Sequence, residues 1–257
     1  MDLQRYLDRI AYRGQLQPSA IVLRDLQLAH LLTVPFENLS IHIGEPIVLH
    51  DEALFDKIVV RRRGGFCYEA NGLFAALLRA MGFDAAMLSS CVARADGTFS
   101  PEFDHLTLMV RLEERWLADV GFGDTFREPL RIDVASDQIQ GHRAYRIVPR
   151  ADDFVLMQRE GNGPWSAQYR FTLRPRAYRD FYERCRYQET SPDSHFAQNR
   201  ICTLATRDGR VTLSGMRLIE TSDVAGRTER EVHTQEEYDV LLRERFGIRL
   251  APQRADR

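Results

Sequence analysis

The sequence predicts an α+β protein that begins with helices, continues with strands and mixes the two in its last third. Apolar residues recur at helical spacing as far as about residue 82. Between residue 85 and about residue 171 the chain shows short runs typical of β-strands, separated by turn signals such as Asp96-Gly97. These patterns predict a helical region followed by an antiparallel sheet or a small barrel.

Three helices are predicted in the first region. The first begins near Leu3, and the second covers residues 19–32 and ends before Pro35, because the residue that precedes a proline avoids the α-helical conformation. The third helix begins at Cys67, and Gly82 is its predicted left-handed C-cap.

The remainder of the chain has its own signals. Six strands are predicted in the β-rich segment, over residues 86–92, 105–112, 116–120, 145–148, 154–158 and 167–171. A helix is predicted over residues 177–188, and a final helix opens at the capping box Thr234-Gln235-Glu236-Glu237. Asp208-Gly209 is predicted to turn a hairpin between strands 201–207 and 210–219.

The composition describes a globular chain with little net charge. Of its 257 residues, 44% are hydrophobic and 28% are charged, which allows a packed core. The formal net charge of −2 gives no reason to expect nucleic acid or an anionic membrane as a partner. The sequence shows neither a signal-peptide pattern nor an apolar run of about 20 residues, so we expect a soluble, cytoplasmic protein.

Four widely spaced cysteines form no Cys-x-x-Cys pair, which predicts neither a disulfide framework nor a metal site. One of them, Cys67, follows Gly64-Gly65 and opens a helix. The unpaired backbone N–H groups and the positive end of the helix dipole at such a position favour the thiolate over the thiol. Because the thiolate is the nucleophilic form, Cys67 is the first candidate for catalysis.

A cysteine nucleophile needs a base and an orienting acid. His105 begins a strand, a position from which its side chain can project into a cleft or simply form a hydrogen bond; the other six histidines are interpreted as structural, loop or surface residues. Asp119 interrupts an apolar strand and needs a partner, because an unpaired buried carboxylate is costly. That partner is either His105 or the backbone N–H groups of the turn Gly121–Gly123.

Strand register tests the pairing of His105 with Asp119. A two-residue loop at Glu113-Glu114 would place Asp119 opposite Leu108, on the other face of the sheet from His105, because side chains alternate along a strand. The pairing therefore requires an odd-length loop or a β-bulge between residues 106 and 118.

The run Gly121-Phe122-Gly123 also has two interpretations. Its backbone amides can approach a phosphate, or the run is an ordinary turn. Phe122 either lines a pocket or packs in the core.

Several motifs together resemble the arylamine N-acetyltransferases, over residues 1 to roughly 220. The two most specific are Arg62-Arg63-Gly64-Gly65-Phe66-Cys67-Tyr68-Glu69 and Trp116-Leu117-Ala118-Asp119-Val120-Gly121-Phe122-Gly123. The others are Val34-Pro35-Phe36-Glu37-Asn38-Leu39, the strand that His105 begins, residues 171–176 and residues 191–196.

The resemblance implies a cysteine-protease-like core with three regions. These are a helical bundle carrying the nucleophile (1–82), an antiparallel β-barrel carrying the base and the acid (83–188), and a C-terminal α/β lid (189–257). The implied site has a catalytic triad, a cofactor loop for acetyl-CoA and aromatic residues around the acceptor amine. The triad is Cys67, His105 and Asp119; the cofactor loop is Gly121, Phe122 and Gly123; the acceptor residues are Phe36, Phe122 and Phe196.

Three features depart from the family pattern. Asp104 stands where bacterial members often have threonine, and a second carboxylate there would raise the pKa of His105 or disfavour an anionic coenzyme. The hairpin at Glu113-Glu114 is short, and the polar tail after Arg249 is expected to lack cofactor contacts that longer C-termini make.

The expected activity is acetylation of an aromatic amine or hydrazine by acetyl-CoA, through an acetyl-cysteine and without a metal. The sequence leaves three alternatives: an amide synthase with the same triad, a cysteine hydrolase or transglutaminase-like enzyme, and a silent binding protein with this fold. It does not indicate the oligomeric state.

Overall fold

The computed structural model describes residues 1–250 and confirms the predicted α+β fold class. An N-terminal helical region is followed by an eight-stranded antiparallel barrel that is nearly closed, and then by a five-stranded sheet covered by a helix. The expectation about the polar tail concerns mainly residues 251–257, which lie outside the described residues. None of the helices within residues 1–250 is long and apolar enough to cross a membrane.

The N-terminal region packs its helices around one long central helix. The α-helices are α1 (Leu3–Arg9), α2 (Ala20–Leu31), α3 (Leu39–His42), α4 (Asp51–Phe55) and α5 (Cys67–Ala80), with a π-helical turn at Asp56–Val60. Eleven of the 14 residues of α5 are buried, which makes it the core of the region. As predicted, α5 begins at Cys67 and is followed by Gly82 in the left-handed conformation, at a φ of 89°. Helices α3 and α4 were not predicted, because four or five residues show no periodicity.

The barrel runs in the strand order β5-β4-β3-β2-β9-β8-β7-β6. Its strands are β2 (Asp84–Val92), β3 (His105–Arg111), β4 (Arg115–Ala118), β5 (Leu130–Arg131), β6 (Gln138–Gln140), β7 (Arg143–Arg150), β8 (Asp153–Glu160) and β9 (Ser166–Phe171). Side chains bridge the gap between the two edge strands: the amide of Gln138 donates to the backbone oxygen of Arg131 and accepts from its N–H, at 3.0 and 2.8 Å. These hydrogen bonds satisfy backbone groups at the sheet edge that an open sheet would leave to solvent.

The hairpin between β3 and β4 has a three-residue loop. Arg111 pairs with Arg115, so residues 112–114 form the loop, and Leu108 pairs with Ala118. The odd length required for the pairing of His105 with Asp119 is therefore present. In this register Ala118 lies on the same face as Leu108, so Asp119, one residue beyond β4, lies on the opposite face, which His105 occupies.

The C-terminal sheet takes one strand from the N-terminal region. Its order is β1-β10-β11-β12-β13, with β1 (Phe36–Glu37), β10 (Ile201–Thr206), β11 (Gly209–Ser214), β12 (Arg217–Ser222) and β13 (Gly226–Glu231). Helix α8 (Gln235–Phe246) packs against this sheet and begins at the predicted cap, where the Thr234 side chain accepts from the N–H of Glu237. Because β1 pairs with β10, the helical region and the C-terminal sheet share one hydrogen-bonded ladder.

Two predictions in this region were wrong. The segment 210–219 is two strands rather than one, because the chain turns at Gly215, which has a φ of 55°. The preceding hairpin turns at Arg207-Asp208, and Gly209 already lies in β11, where a Cβ would come within 1.8 Å of the Thr221 oxygen. The glycine therefore serves close strand packing rather than the turn.

The helix predicted over residues 177–188 is present in two parts. A 3₁₀ turn (Tyr178–Phe181) leads into α6 (Tyr182–Thr190), and the short helix α7 (His195–Gln198) follows. Phe181 and Cys185 pack in the same core as α5. This places α6 beside the start of the central helix. The boundaries of the three predicted regions, 1–82, 83–188 and 189–257, stay predictions.

Candidate active site

Cys67 is the first residue of α5, and two glycines bring the chain to that position. A Cβ on Gly64 would lie 1.9 Å from the backbone oxygen of Pro35, and a Cβ on Gly65 would lie 2.6 Å from the Cβ of Glu69. Only residues without a side chain can pass between β1 and the helix start. The Glu69 carboxylate also accepts from the N–H of Phe66 at 3.2 Å, which caps the first turn.

Two buried ion pairs lie directly behind this helix start. Lys57 Nζ contacts Glu69 Oε1 at 2.6 Å, and the Arg63 guanidinium binds Glu37 through two nitrogens at 2.9 and 3.1 Å. Burial raises the pKa of Glu69 in spite of the attraction of Lys57. The pairs hold β1 and the first turn of α5 in one arrangement; the sequence signal was the run of charged residues around the two glycines.

His105 and Asp119 form a buried pair. His105 Nε2 lies 2.6 Å from Asp119 Oδ2, and the side chains are 3% and 0% exposed. Burial lowers the pKa of the His105 imidazole, but the Asp119 carboxylate and the Cys67 thiol outweigh this effect and raise that pKa from 6.5 to about 10. Nε2 is engaged by the carboxylate, so Nδ1 is the nitrogen left for the thiol.

Asp119 also accepts three further hydrogen bonds. Asn71 Nδ2 donates to Oδ1 at 2.8 Å, the N–H of Gly121 donates to Oδ1 at 2.9 Å, and the Tyr169 hydroxyl donates to Oδ2 at 3.1 Å. Burial opposes ionisation, but the charge and hydrogen bond of His105, together with the hydrogen bonds from Asn71 and Gly121, outweigh it and hold the pKa of the carboxyl below its usual value. Both interpretations of Asp119 are therefore correct: it pairs with the histidine and caps the turn.

Asn71, Tyr169 and Gln27 were not predicted from the sequence. Asn71 lies one turn after Cys67 on α5, and its side chain also donates to the Leu106 oxygen at 2.7 Å and accepts from the N–H of Val120 at 2.9 Å. A polar residue on the buried stripe of a helix was the signal that could have revealed it. Tyr169 and Gln27 reach the site from β9 and α2, and nothing in the local sequence marks them.

Gly121 is required by the distance between the barrel and α5. A Cβ there would lie 2.7 Å from the Cα of Cys67 and 2.7 Å from Asn71 Nδ2. The loop after Asp119 thus passes against the first turn of the helix that carries the thiol. Gly123 has a φ of 93°, a conformation that favours glycine.

A cavity of about 440 Å³ opens onto the thiol. Its wall includes the candidate residues Phe36, Cys67, His105, Gly121, Phe122 and Phe196. The Phe36 and Phe196 rings lie 6.1 Å apart, and the Phe122 ring meets the His105 ring edge-on at 5.1 Å. Within the described residues, Gly123 is not part of this wall. A Cβ added to Gly123 would nevertheless lie 3.9 Å from the Phe36 ring.

The Asp104 carboxylate is not an isolated negative charge. Arg184 approaches its Oδ1 through Nε at 2.7 Å and through Nη2 at 2.6 Å, and Gln188 Nε2 donates to the same oxygen at 2.6 Å. The largest causes that raise the pKa of His105 are Asp119 and Cys67. Because Arg184 and Gln188 engage the Asp104 carboxylate, its own effect on the pKa of His105 stays a prediction.

The other cysteines do not share the environment of Cys67. Burial raises the pKa of Cys91, Cys185 and Cys202, which holds these thiols neutral. His30 is buried as well: its Nδ1 lies 3.2 Å from the Tyr6 hydroxyl oxygen, and burial lowers its pKa to about 3. Residues 1–250 contain no group of three or more His, Cys, Asp or Glu side chains placed to hold a metal.

A second cavity, of about 650 Å³, lies between the barrel seam and the C-terminal sheet. Asp124, which follows Gly123, sits on its wall between two guanidinium groups, with Arg143 at 2.7 Å and Arg210 at 3.3 Å. Burial lowers the pKa of Arg210, and the charges of Arg127 and Arg143 lower it further against the attraction of Asp124. Arg143 also approaches Glu160, at 3.8 Å, so the carboxylates of Asp124 and Glu160 face three guanidinium groups.

Comparisons with known proteins agree on one family. The chain matches the family model described as N-acetyltransferase over residues 21–255. The arylamine N-acetyltransferase of Mycolicibacterium smegmatis is 37% identical, in an alignment that covers 97% of this chain and 93% of that protein. The solved structure of the enzyme from M. tuberculosis has a TM-score of 0.89 at 35% identity, over 96% of this chain and 93% of that one. The Mycobacterium marinum enzyme, solved in complex with CoA, has a TM-score of 0.88 at 35% identity, with the same coverage of each chain.

Proposed function

Because the chain belongs to the arylamine N-acetyltransferase family, we propose that it transfers the acetyl group of acetyl-CoA to aromatic amines or hydrazines through an acetylated Cys67. The observation that carries the proposal is the buried pair of His105 and Asp119 beside the thiol at the start of α5. A protonated imidazole held there favours the thiolate, the form that attacks an acyl carbon.

In the first half-reaction the Cys67 sulfur attacks the thioester carbonyl, and a new sulfur–carbon bond forms as the bond to the CoA sulfur breaks. His105 supplies the proton to the departing CoA thiolate. The N–H of Cys67 is among the first of α5, and such groups have no partner inside a helix. It is therefore available to stabilise the negative oxygen of the tetrahedral intermediate.

In the second half-reaction the amine nitrogen attacks the acetyl carbon on Cys67. His105, now neutral, takes the proton from the nitrogen, and the sulfur leaves as the thiolate. An aromatic amine suits this step because its nitrogen is neutral near pH 7 and its ring can pack on Phe36, Phe122 and Phe196. The triad then returns to its starting charge state. The cycle is a ping-pong mechanism because CoA leaves before the amine reacts with acetylated Cys67.

We place the acyl end of the coenzyme at Gly121, Phe122 and Gly123, which lead from the thiol to the second cavity. Its phosphates need cationic partners, and the excess of guanidinium charge around Asp124 supplies them. Thr125 on the same wall has a buried hydroxyl without a partner within residues 1–250, so a donor is also available. An anion bound there would relieve the repulsion between Arg127, Arg143 and Arg210.

Mass spectrometry of the intact protein after mixing with acetyl-CoA tests the proposed intermediate. We expect one acetyl group on Cys67, stable until an aromatic amine is added, and no adduct in Cys67→Ala. An adduct on Cys91, Cys185 or Cys202 would contradict the assignment of the nucleophile. Rapid release of acetate without an amine would identify a hydrolase instead.

A further inference from the structure

The residue two positions before His105 has an unusual backbone. Phe103 has a φ of 64°, in the left-handed region that a bulky residue seldom adopts. Such a conformation costs about 1–3 kcal/mol and persists only where the surroundings hold it in place. Because His105 begins β3, the position of its side chain depends on this segment.

Several elements hold the segment. The Tyr68 hydroxyl, from the residue after Cys67, donates to the backbone oxygens of Phe103 and Asp104 at 2.8 and 3.3 Å. The N–H of Phe103 donates to Ser89 Oγ on β2 at 2.7 Å, and its ring meets the Phe181 ring edge-on at 5.3 Å. The helix start, the barrel and the 3₁₀ turn thus all meet at the residues that precede the base.

The strongest polar contacts to the segment come from α6. Arg184 and Gln188 together place three donor nitrogens on one oxygen of Asp104, at 2.6 to 2.7 Å. The guanidinium of Arg184 also lies over the Tyr187 ring, 4.1 Å from its centroid, which fixes its orientation. Charge-assisted bonds of this kind are worth more than neutral ones, so they are the contacts able to offset the backbone strain.

The same contacts continue to the acceptor wall. Gln188 Oε1 accepts from Ser194 Oγ at 2.6 Å, and Ser194 Oγ accepts from the N–H of Phe196 at 3.2 Å. A chain of hydrogen bonds therefore joins the segment before His105 to the residue that lines the cavity above the thiol. We propose that Asp104, clamped by Arg184 and Gln188, is a positioning residue that holds His105 between Cys67 and Asp119.

This inference rests on the proposed role of His105, and its test uses neither acetyl-CoA nor an amine. The measurement is the rate at which iodoacetamide, a small neutral reagent, alkylates Cys67 at neutral pH. In Asp104→Ala we expect the rate to fall about tenfold or more, because an imidazole that moves by about 1 Å no longer supports the thiolate. Asp104→Asn keeps an oxygen for Arg184 and Gln188, and we expect it to restore most of the rate.

Glu102→Gln is the matched control. Glu102 is a nearby carboxylate that pairs with Arg176 at 3.3 Å but is 57% exposed, and we expect its replacement to leave the rate unchanged. A folded Asp104→Ala protein that alkylates at the wild-type rate would overturn the proposal, since a merely structural role lowers only the melting temperature. If that variant does not fold, Arg184→Gln provides the same comparison. If the wild-type protein alkylates fast but forms no acetyl adduct with acetyl-CoA, the proposed function is refuted and the positioning role of Asp104 is left intact.

Discussion

Asp119 is the residue on which most of the site's hydrogen bonds converge. It receives four donors, from His105, Asn71, Gly121 and Tyr169, while it is completely buried. A carboxylate without these partners would take up a proton or unfold the site, because burial disfavours its charge. The ion pair with His105 is therefore a stabilising element as well as a chemical one, and its contribution depends on pH.

The stabilisation by the pair of His105 and Asp119 falls both as the pH rises and as the pH falls from neutral. The folded-state pKa of His105 is raised to about 10, so the stabilisation is complete below its ordinary value of 6.5 and is lost as the pH rises towards 10. The pKa of Asp119 is lowered, so on the acid side the stabilisation is lost as the pH falls through that lowered value. We expect the difference in free energy of unfolding between wild type and His105→Gln, on the order of a few kcal/mol at neutral pH, to shrink at both ends. Chemical denaturation across the pH range measures it, and a difference that stays constant would contradict the ion pair.

At this scale the sequence predicted the reactive residues but not all their partners. Cys67 and His105 were found because each begins an element, and elements begin at recognisable signals. The odd length of the β3–β4 loop, or a β-bulge in its place, followed from strand geometry once His105 was paired with Asp119. The partners Tyr169 and Gln27 lie 50 and 92 residues from Asp119 along the chain. Such contacts arise from tertiary packing, which no local pattern records.

At the scale of elements, the site is the contact between the start of α5 and the ends of β3 and β4. Asn71 is the side chain that joins them, because it binds the Leu106 oxygen on β3 and both Asp119 and Val120 after β4. A helix and two strand ends are held by one amide. Gly121 lets them approach closely enough for that amide to reach.

Replacing this amide should separate the two elements. Asn71→Ala leaves buried polar groups of Leu106 and Val120 unpaired, and we expect a loss of about 2–4 kcal/mol of unfolding free energy together with slower acetylation of Cys67. Asn71→Asp keeps the shape but sets a second negative charge against Asp119, so we expect a still slower reaction. Thermal unfolding and the rate of adduct formation measure both effects. Asn199→Asp is the same change at an exposed amide and should alter neither the unfolding free energy nor the rate of acetylation. If Asn71→Asp and Asn199→Asp gave the same stability and the same rate, Asn71 would not be the side chain that joins the helix to the strands.

At the same scale, long elements were predicted better than short ones. Helices α2, α5 and α8 have apolar stripes or clear caps, and they begin where expected. The turn at Gly215, which divides the predicted strand 210–219 into β11 and β12, was missed because strand-like residues stand on both sides of it. Position-specific backbone conformation, rather than residue preference, decides such cases.

For the whole molecule, the order of regions along the chain has a spatial consequence. Strand β1 comes from the N-terminal region and carries Phe36, while its partner β10 belongs to the C-terminal sheet. The wall of the cavity over the thiol comes from the N-terminal region, the barrel and the segment that holds α6 and α7. The second cavity lies where the barrel meets the C-terminal sheet. Its arginines come from both sides: Arg143 from the barrel and Arg210 from the sheet.

A donor without phosphates separates the two cavities experimentally. If the guanidinium groups around Asp124 bind the phosphates of the coenzyme, Arg210→Gln should raise the KM for acetyl-CoA about tenfold or more, the effect of losing one charge-assisted hydrogen bond. The same variant should acetylate Cys67 from p-nitrophenyl acetate at the wild-type rate, because that donor needs only the thiol cavity. Arg217→Gln, which removes an exposed arginine of the same sheet that pairs with Glu229, serves as the control. Equal losses with both donors would mean that Arg210 supports the fold and not the coenzyme.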